Sequence, residues 1–293
     1  MRRVLLAAAV LALGLGCIGP SGPSSGDAAL QIVKVDEGRF LPVPHRPLFV
    51  LVMGQDARPG QDQSRGDALH VVGINAAAGQ ATILNIPRDT WTNIPGRGLD
   101  KINTGHYYGG PLLQARAVSA LVGVDIPIVI STGFQGLADM VDEMGGVDVN
   151  VPVPMNDKNS GAVFPAGTVH MDGGAALAFS RNRNLSGGDF TRTHDQGILM
   201  LAALAKLRAA SPSAGTTVKW MAILARHTRL DGVGLGDLYR LGRLALSIDP
   251  ANVRNVTMPG RTGSAANQSV VFVGDAAPAL FADFRDDAVL QRY

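Results

Sequence analysis

The sequence predicts an α/β domain in which a mixed central β-sheet is covered by helices on both faces. Apolar runs of strand length alternate with helical patterns from about residue 46 onward. A pair of runs is joined by a short turn, so the sheet contains a hairpin and is not purely parallel. The chain is 46% apolar and 17% charged, which suits a large buried core.

The elements follow in order. "LFVLVMG" (48–54) is a continuous apolar run ending in glycine and reads as a buried strand. "ALHVVGIN" (68–75) and "ATILNIP" (81–87) flank "AAAGQ", the hairpin turn. "PLLQARAVSALVG" (111–123) opens on proline and closes on glycine, as helices do. "IPIVIST" (126–132) is a further buried strand. "FQGLADMVDEMGG" (134–146) puts Phe134, Leu137, Met140, Val141 and Met144 on one helical face. "VDVNVPV" (147–153) alternates with the period of a half-buried strand. "DGGAALAFSR" (172–181) reads as a short helix opening on Asp172, and "ILMLAALAKLRAA" (198–210) as a helix apolar nearly all round. Helices near 217–227 and 235–247, strands near 252–258 and 269–273, and a terminal helix complete the domain.

The N-terminus lies outside this pattern. "MRRVLLAAAVLALGLGCIGP" carries two arginines, an apolar run and then Cys17, the only cysteine. The run is shorter than the ~20 residues of a membrane span and fits an export signal. Cys17 at its end resembles a bacterial lipoprotein attachment site; simple cleavage and a short uncleaved anchor are the alternatives. "IGPSGPSSGD" (18–27) reads as a flexible tether. The division is a signal over 1–17, a tether over 18–45 and the domain over 46–285. Every version places the domain outside the cytoplasm, and lipidation at Cys17 would hold it at the outer face of the membrane. The net charge of +2, with no basic block, excludes a nucleic-acid partner.

Most catalytic signatures are absent. There is no G-x-S-x-G elbow, no phosphate-binding P-loop and no H-E-x-x-H, and the six histidines are scattered. What remains is a set of Arg and Asp residues at the ends of elements. "GQDAR" offers Asp56 and Arg58, "SRGD" offers Arg65 and Asp67, and "PRD" offers Arg88 and Asp89. "RNRNLSGGDFTRTHDQ" (181–196) offers Arg181, Arg183, Asp189 and Arg192 around a Gly-Gly turn. Arginine forks bind phosphate oxygens bidentately, and paired carboxylates hold Mg²⁺ together with substrate phosphates. Each piece alone reads as a surface ion pair. The set, lacking a thiol or histidine nucleophile, points to phosphoryl transfer, which needs mainly positioning and charge stabilisation.

At these residues the sequence resembles the LytR-CpsA-Psr family of bacterial envelope proteins. The segments "LVMGQDAR", "SRGDAL", "ILNIPRDTWTNIPG", "DKINTGHYYGGP", "GLADMVDEMGGVDVNVP", "AGTVHMDGGAALAFSRNR" and "GDFTRTHDQ" carry the resemblance in order. It is clear over residues 46–210 and loose to about 285. It implies a Mg²⁺-dependent phosphotransferase that moves a glycopolymer from a polyprenyl-pyrophosphate carrier to a peptidoglycan hydroxyl, leaving polyprenyl phosphate. An apolar tunnel between sheet and helices would take the lipid. By the same resemblance Asp56 and Asp67 would hold Mg²⁺. Arg58 or Arg65, with Arg88, Arg183 and Arg192, would clamp the pyrophosphate, and Arg181 and Gln196 would support them. Asp89 would orient a neighbouring arginine, while Lys101 and Asn103 of "DKIN" match a family segment near the site. Asp195 stands where the family often has a further arginine, and "GQDAR" is a loose version of its first motif.

Two other classes fit parts of the pattern. A pyrophosphatase would use the same residues with water as acceptor. A non-enzymatic polyprenyl-lipid-binding protein would keep the apolar helices without needing the arginines.

Overall fold

A computed structural model describes residues 30–35, 46–55, 64–210, 215 and 228–293. Asp56, Arg58, Cys17 and the expected helix near 217–227 lie outside these residues.

The described residues form a seven-stranded mixed sheet. Its strands are β1 (Leu30–Lys34), β2 (Leu48–Gln55), β3 (Gly66–Asn75), β4 (Gln80–Ile86), β7 (Ile128–Gly133), β12 (Thr228–Asp231) and β13 (Val253–Thr257). The spatial order is β12-β1-β7-β2-β3-β4-β13. β3 and β4 form the hairpin that the turn at "AAAGQ" predicts, β2 adds to it as an antiparallel neighbour of β3, and β7 runs parallel to β2 and β13 parallel to β4.

Alternate residues of β2 enter different cores, as a period of two requires. Phe49, Leu51 and Met53 pack with α1 (Thr104–Val122) and α6 (Ala277–Asp287), through Ala117, Val118, Leu280 and Phe284. Leu48 and Val50 pack on the other face with Leu238, Leu241 and Leu244 of α5 (Leu235–Ser247). That second face also carries α2 (Phe134–Glu143), α3 (Gly173–Arg181) and α4 (Asp189–Ala209). A further core, with Phe179 and Leu199, joins these helices to the short strands β8 (Val147–Val151) and β11 (Gly167–Met171).

The structure corrects the sequence reading in two places. Residues 30–34 belong to the sheet rather than to a tether, since β1 pairs with β7 and β12. Both partners are remote in sequence, so no local pattern marks this strand. The helix expected from Pro111 begins at Thr104 instead. Gly109 and Gly110 leave helical geometry just before Pro111, so the proline follows a kink and costs no continuous ladder.

Candidate active site

The sheet and helices α2, α3 and α4 enclose a cavity of about 890 Å³. One end is charged, lined by Asp67, Arg88, Arg181, Arg183 and Arg192. The rest is apolar, with Leu137, Met140 and Val141 of α2 and Met144, which caps it, facing Leu199, Met200, Ala203 and Leu207 of α4. Along α4 the wall runs in order through Arg192, Gln196, Leu199, Met200, Ala203 and Leu207, one helical stripe that turns from charged to greasy.

Asp67 reaches the cavity through a β-bulge. Gly54 pairs with Ala68 and Gln55 with Gly66, so Asp67 opposes no residue of β2. An extra residue of this kind re-aims the side chain at the end of a strand.

Arg88 is fixed by the turn that ends β4. Pro87 offers no N–H to continue the ladder. Its carbonyl instead accepts from the Thr90 N–H (3.1 Å) and hydroxyl (2.6 Å). The hairpin of β5 (Trp91–Ile94) and β6 (Gly98–Lys101) then folds back over this turn. Asn103 N–H donates to Arg88 O at 3.2 Å and Ile102 N–H to Thr90 O at 2.7 Å. The Arg88 Nη1 donates to Asp67 Oδ1 at 2.5 Å, and Asp89 pairs with Lys101 Nζ at 3.1 Å.

The electrostatics of the arginines favour an anion. Burial opposes the charge on Arg88, but Asp67, Asp89 and Asp189 outweigh it and raise its pKa. Arg192 is 4% exposed and its pKa is lowered, first by burial and then by the nearby positive charges of Arg88 and Arg183, against the pull of Asp189. The Nε atoms of Arg88 and Arg192 are buried without a hydrogen-bond partner among the described residues. Like charges converging at one end of a cavity are relieved by a bound anion.

Thus Asp67, Arg88, Arg181, Arg183, Arg192 and Gln196 come together on the cavity wall. Arg181 lies with its guanidinium 5.0 Å from the centre of the Phe134 ring. Arg65 is exposed and off the wall. Asp89, Lys101 and Asn103 are also off the wall and brace the Arg88 turn from behind. No group of three or more metal-ligating side chains occurs among the described residues.

Sequence reasoning missed Asp157 and His70. Asp157, at the end of β9 (Met155–Asp157), is buried on the wall. The Ser160 hydroxyl and the N–H groups of Arg183, Asn159 and Ser160 hold its carboxyl below the usual carboxylate range, although burial opposes this. It therefore anchors the backbone that presents Arg183. The string "NDKNSG", an aspartate leading into a polar turn, was the available signal. His70 sits within β3, where its neighbours conceal it as one more core position.

Comparison with known proteins accords with this geometry. The sequence profile of the LytR_cpsA_psr family matches residues 29–280. The chain belongs to the LytR-CpsA-Psr family. It is 38% identical to a polyisoprenyl-teichoic acid–peptidoglycan teichoic acid transferase TagU of Bacillus mycoides, over 162 residues covering 55% of this chain and 52% of that protein. It is 32% identical to the probable cell wall biosynthesis protein LcpB of Corynebacterium glutamicum, over 254 residues covering 80% of this chain and 60% of that one. The chain thus spans about half the length of the TagU it matches. The fold matches Bacillus subtilis TagV with a TM-score of 0.70 at 23% identity, covering 84% of this chain and 98% of TagV. It also matches TagT with bound octaprenyl pyrophosphate lipid with a TM-score of 0.65 at 23% identity, covering 92% of this chain and all of that one. LytR-CpsA-Psr members therefore share this mixed sheet with helices. No described helix is long and apolar enough to cross a membrane.

Proposed function

We propose that the chain is a phosphotransferase that moves a glycopolymer from a polyprenyl-pyrophosphate carrier to a peptidoglycan hydroxyl at the outer face of the cell membrane. The observation that carries this reading is one cavity with an arginine cluster at one end and an apolar channel behind it. A pyrophosphate with a long hydrocarbon tail has the same polarity along its length.

In this reaction the acceptor hydroxyl oxygen bonds to the phosphorus that bears the glycan. The bond from that phosphorus to the bridging oxygen breaks, and polyprenyl phosphate leaves with the bridging oxygen. The hydroxyl proton is released. Arg88, Arg183 and Arg192 bind the pyrophosphate oxygens and stabilise the charge that grows on the bridging oxygen. The Asp67 pair aims Arg88, and Asp157 holds the backbone of Arg183. The apolar walls of α2 and α4 exclude water from the tail.

Asp67, with Asp56, would hold Mg²⁺. A single wall carboxylate with substrate phosphates already matches the usual Mg²⁺ environment. When bound, the ion would neutralise pyrophosphate charge. Attachment to the membrane through Cys17 belongs to the same proposal. The relatives named as teichoic acid transferases support the substrate class.

The test is a transfer assay with a synthetic polyprenyl-pyrophosphate saccharide, Mg²⁺ and peptidoglycan fragments, read by mass spectrometry. A phosphosaccharide adduct on peptidoglycan is expected. Release of saccharide phosphate alone, with every acceptor fragment tried, would make the chain a pyrophosphatase.

A further inference from the structure

Two asparagines on the cavity wall, Asn159 and Asn184, belong to neither the arginine cluster nor the apolar channel. Asn159 lies in the turn between β9 and β10 (Ala162–Phe164), and Asn184 follows Arg183 in the loop after α3. Both residues are exposed, so their side chains are open to a ligand.

One carboxylate ties the two segments together. Asp157 Oδ1 accepts from the Asn159 N–H at 3.0 Å. Asp157 Oδ2 accepts from the Ser160 hydroxyl at 2.9 Å and from the Arg183 N–H at 3.3 Å. The Asn184 amide closes the same joint, since its Nδ2 donates to Asn156 O at 3.0 Å. A carbonyl only accepts, so this bond fixes which end of the amide faces the backbone. Asn184 Oδ1 is left as an acceptor with no donor among the described residues, and the Asn159 amide has no partner there at either end. The Ser160 hydroxyl also lines the cavity, but its proton is already given to Asp157.

A free acceptor calls for a ligand O–H or N–H. On the transfer reading, on which this inference rests, the ligand has three parts. The hydrocarbon tail has no donor. The ionised pyrophosphate has none either, and its oxygens would meet Asn184 Oδ1 as acceptor against acceptor. Only the saccharide carries hydroxyls, and it is bonded to the pyrophosphate that Arg183, the preceding residue, binds. A primary amide both donates and accepts, which suits neighbouring hydroxyls on one sugar ring.

We infer that Asn159 and Asn184 form the subsite for the first sugar of the glycopolymer, the one bonded to the pyrophosphate. Asn184 Oδ1 accepts from one ring hydroxyl, and the Asn159 amide bonds a second. Three zones of one cavity then take the three parts of the donor in sequence: amides for the sugar, arginines for the pyrophosphate, and the α2–α4 channel for the lipid. The sugar zone comes from the β9–β10 turn and the loop after α3, so it selects the saccharide without contributing to the lipid channel.

The experiment is calorimetric titration of the full chain with farnesyl pyrophosphate and with the same molecule carrying glucose or N-acetylglucosamine on its outer phosphate. In the double variant Asn159→Ala, Asn184→Leu the sugar-bearing ligands should lose ~10-fold in affinity relative to farnesyl pyrophosphate, the worth of one or two neutral hydrogen bonds. Farnesyl pyrophosphate itself should bind within about twofold of its wild-type affinity. Asn159→Ala alone removes no side-chain hydrogen bond of the described fold and should cost the sugar-bearing ligands about threefold, so the test stands if the double variant fails to fold. An unchanged ratio for both sugars would overturn the inference alone. An equal loss for farnesyl pyrophosphate would overturn it too, by making the asparagines part of the phosphate site. A last arm titrates a peptidoglycan disaccharide into the chain saturated with farnesyl pyrophosphate. A loss in that arm, with the donor ratio unchanged, would overturn the inference by giving the asparagines to the acceptor glycan. Failure of the wild type to bind farnesyl pyrophosphate with or without a sugar would overturn the transfer reading itself, and this inference with it.

Discussion

Arg88 is oriented from several directions: Pro87 ends the strand, the β5–β6 hairpin clamps the turn, and Asp67 takes one guanidinium nitrogen. Its string, "PRD" behind an apolar run, was legible only as one of several Arg and Asp clusters at element ends, because alone it reads as a surface ion pair. The partners of that pair were less legible. Lys101 and Asn103 were read as near the site, and the structure puts them behind it, where Lys101 holds Asp89 and the Asn103 N–H holds the Arg88 carbonyl. Such roles are set by backbone hydrogen bonds between remote segments, which residue type does not reveal. Asp157 makes the residue-scale prediction. Asp157→Ala should release the Arg183 N–H and the Ser160 turn, lowering farnesyl pyrophosphate affinity several-fold by titration and lowering the melting temperature. Unchanged affinity would remove Asp157 from the account of Arg183.

At the scale of elements, periodicity carried most of the information. The apolar face of α2 was read from spacing alone, and Leu137, Met140, Val141 and the capping Met144 line the cavity together. Spacing cannot tell a cavity wall from a packed core, because both demand apolar side chains. That distinction needed the position of α4 opposite. Ala203→Trp tests the channel directly. An indole at this partly buried wall position should block a long prenyl chain, lowering its affinity by ~10-fold or more, and leave binding of inorganic pyrophosphate within about twofold. The α2–α3 crossing is the second element-scale test. A Cβ on Gly173 would lie 2.2 Å from the Ala138 carbonyl oxygen, so the helices meet where only glycine fits. Gly173→Ala should cost roughly 1–3 kcal/mol in denaturant unfolding, since backbone rather than a flexible side chain must move.

For the whole molecule, the helical and strand pattern predicted a mixed sheet clothed on both faces, and that is the architecture found. The edge of the sheet was not legible. β1 is a short strand in a Gly/Ser/Pro-rich neighbourhood, and its partners lie some hundred residues or more away in the chain. Global stability should show two opposed titrations. His70 is neutral in the fold with a pKa of about 4, so its contribution is present above about 6.5 and is lost as pH falls toward 4. A shift of that size corresponds to roughly 3 kcal/mol. Asp195 is buried with an unpartnered oxygen and its pKa is raised by that burial to about 6. Its contribution is present at low pH and lost as pH rises toward 6. The two partly cancel in the wild type. Asp195→Asn should therefore steepen the loss of stability between about pH 6.5 and pH 4, measured by urea unfolding, and His70→Met should flatten or reverse it.

The central claim is that the arginine end of the cavity activates a lipid-linked pyrophosphate for transfer. The most direct measurement is the yield of phosphosaccharide-modified peptidoglycan from a synthetic polyprenyl-pyrophosphate donor, comparing wild type with Arg88→Ala at matched folded fraction. The account predicts adduct from the wild type and a loss of ~10²–10³-fold in rate for the variant, the usual cost of removing a group aimed at developing charge. Adduct formed equally fast by Arg88→Ala would contradict it.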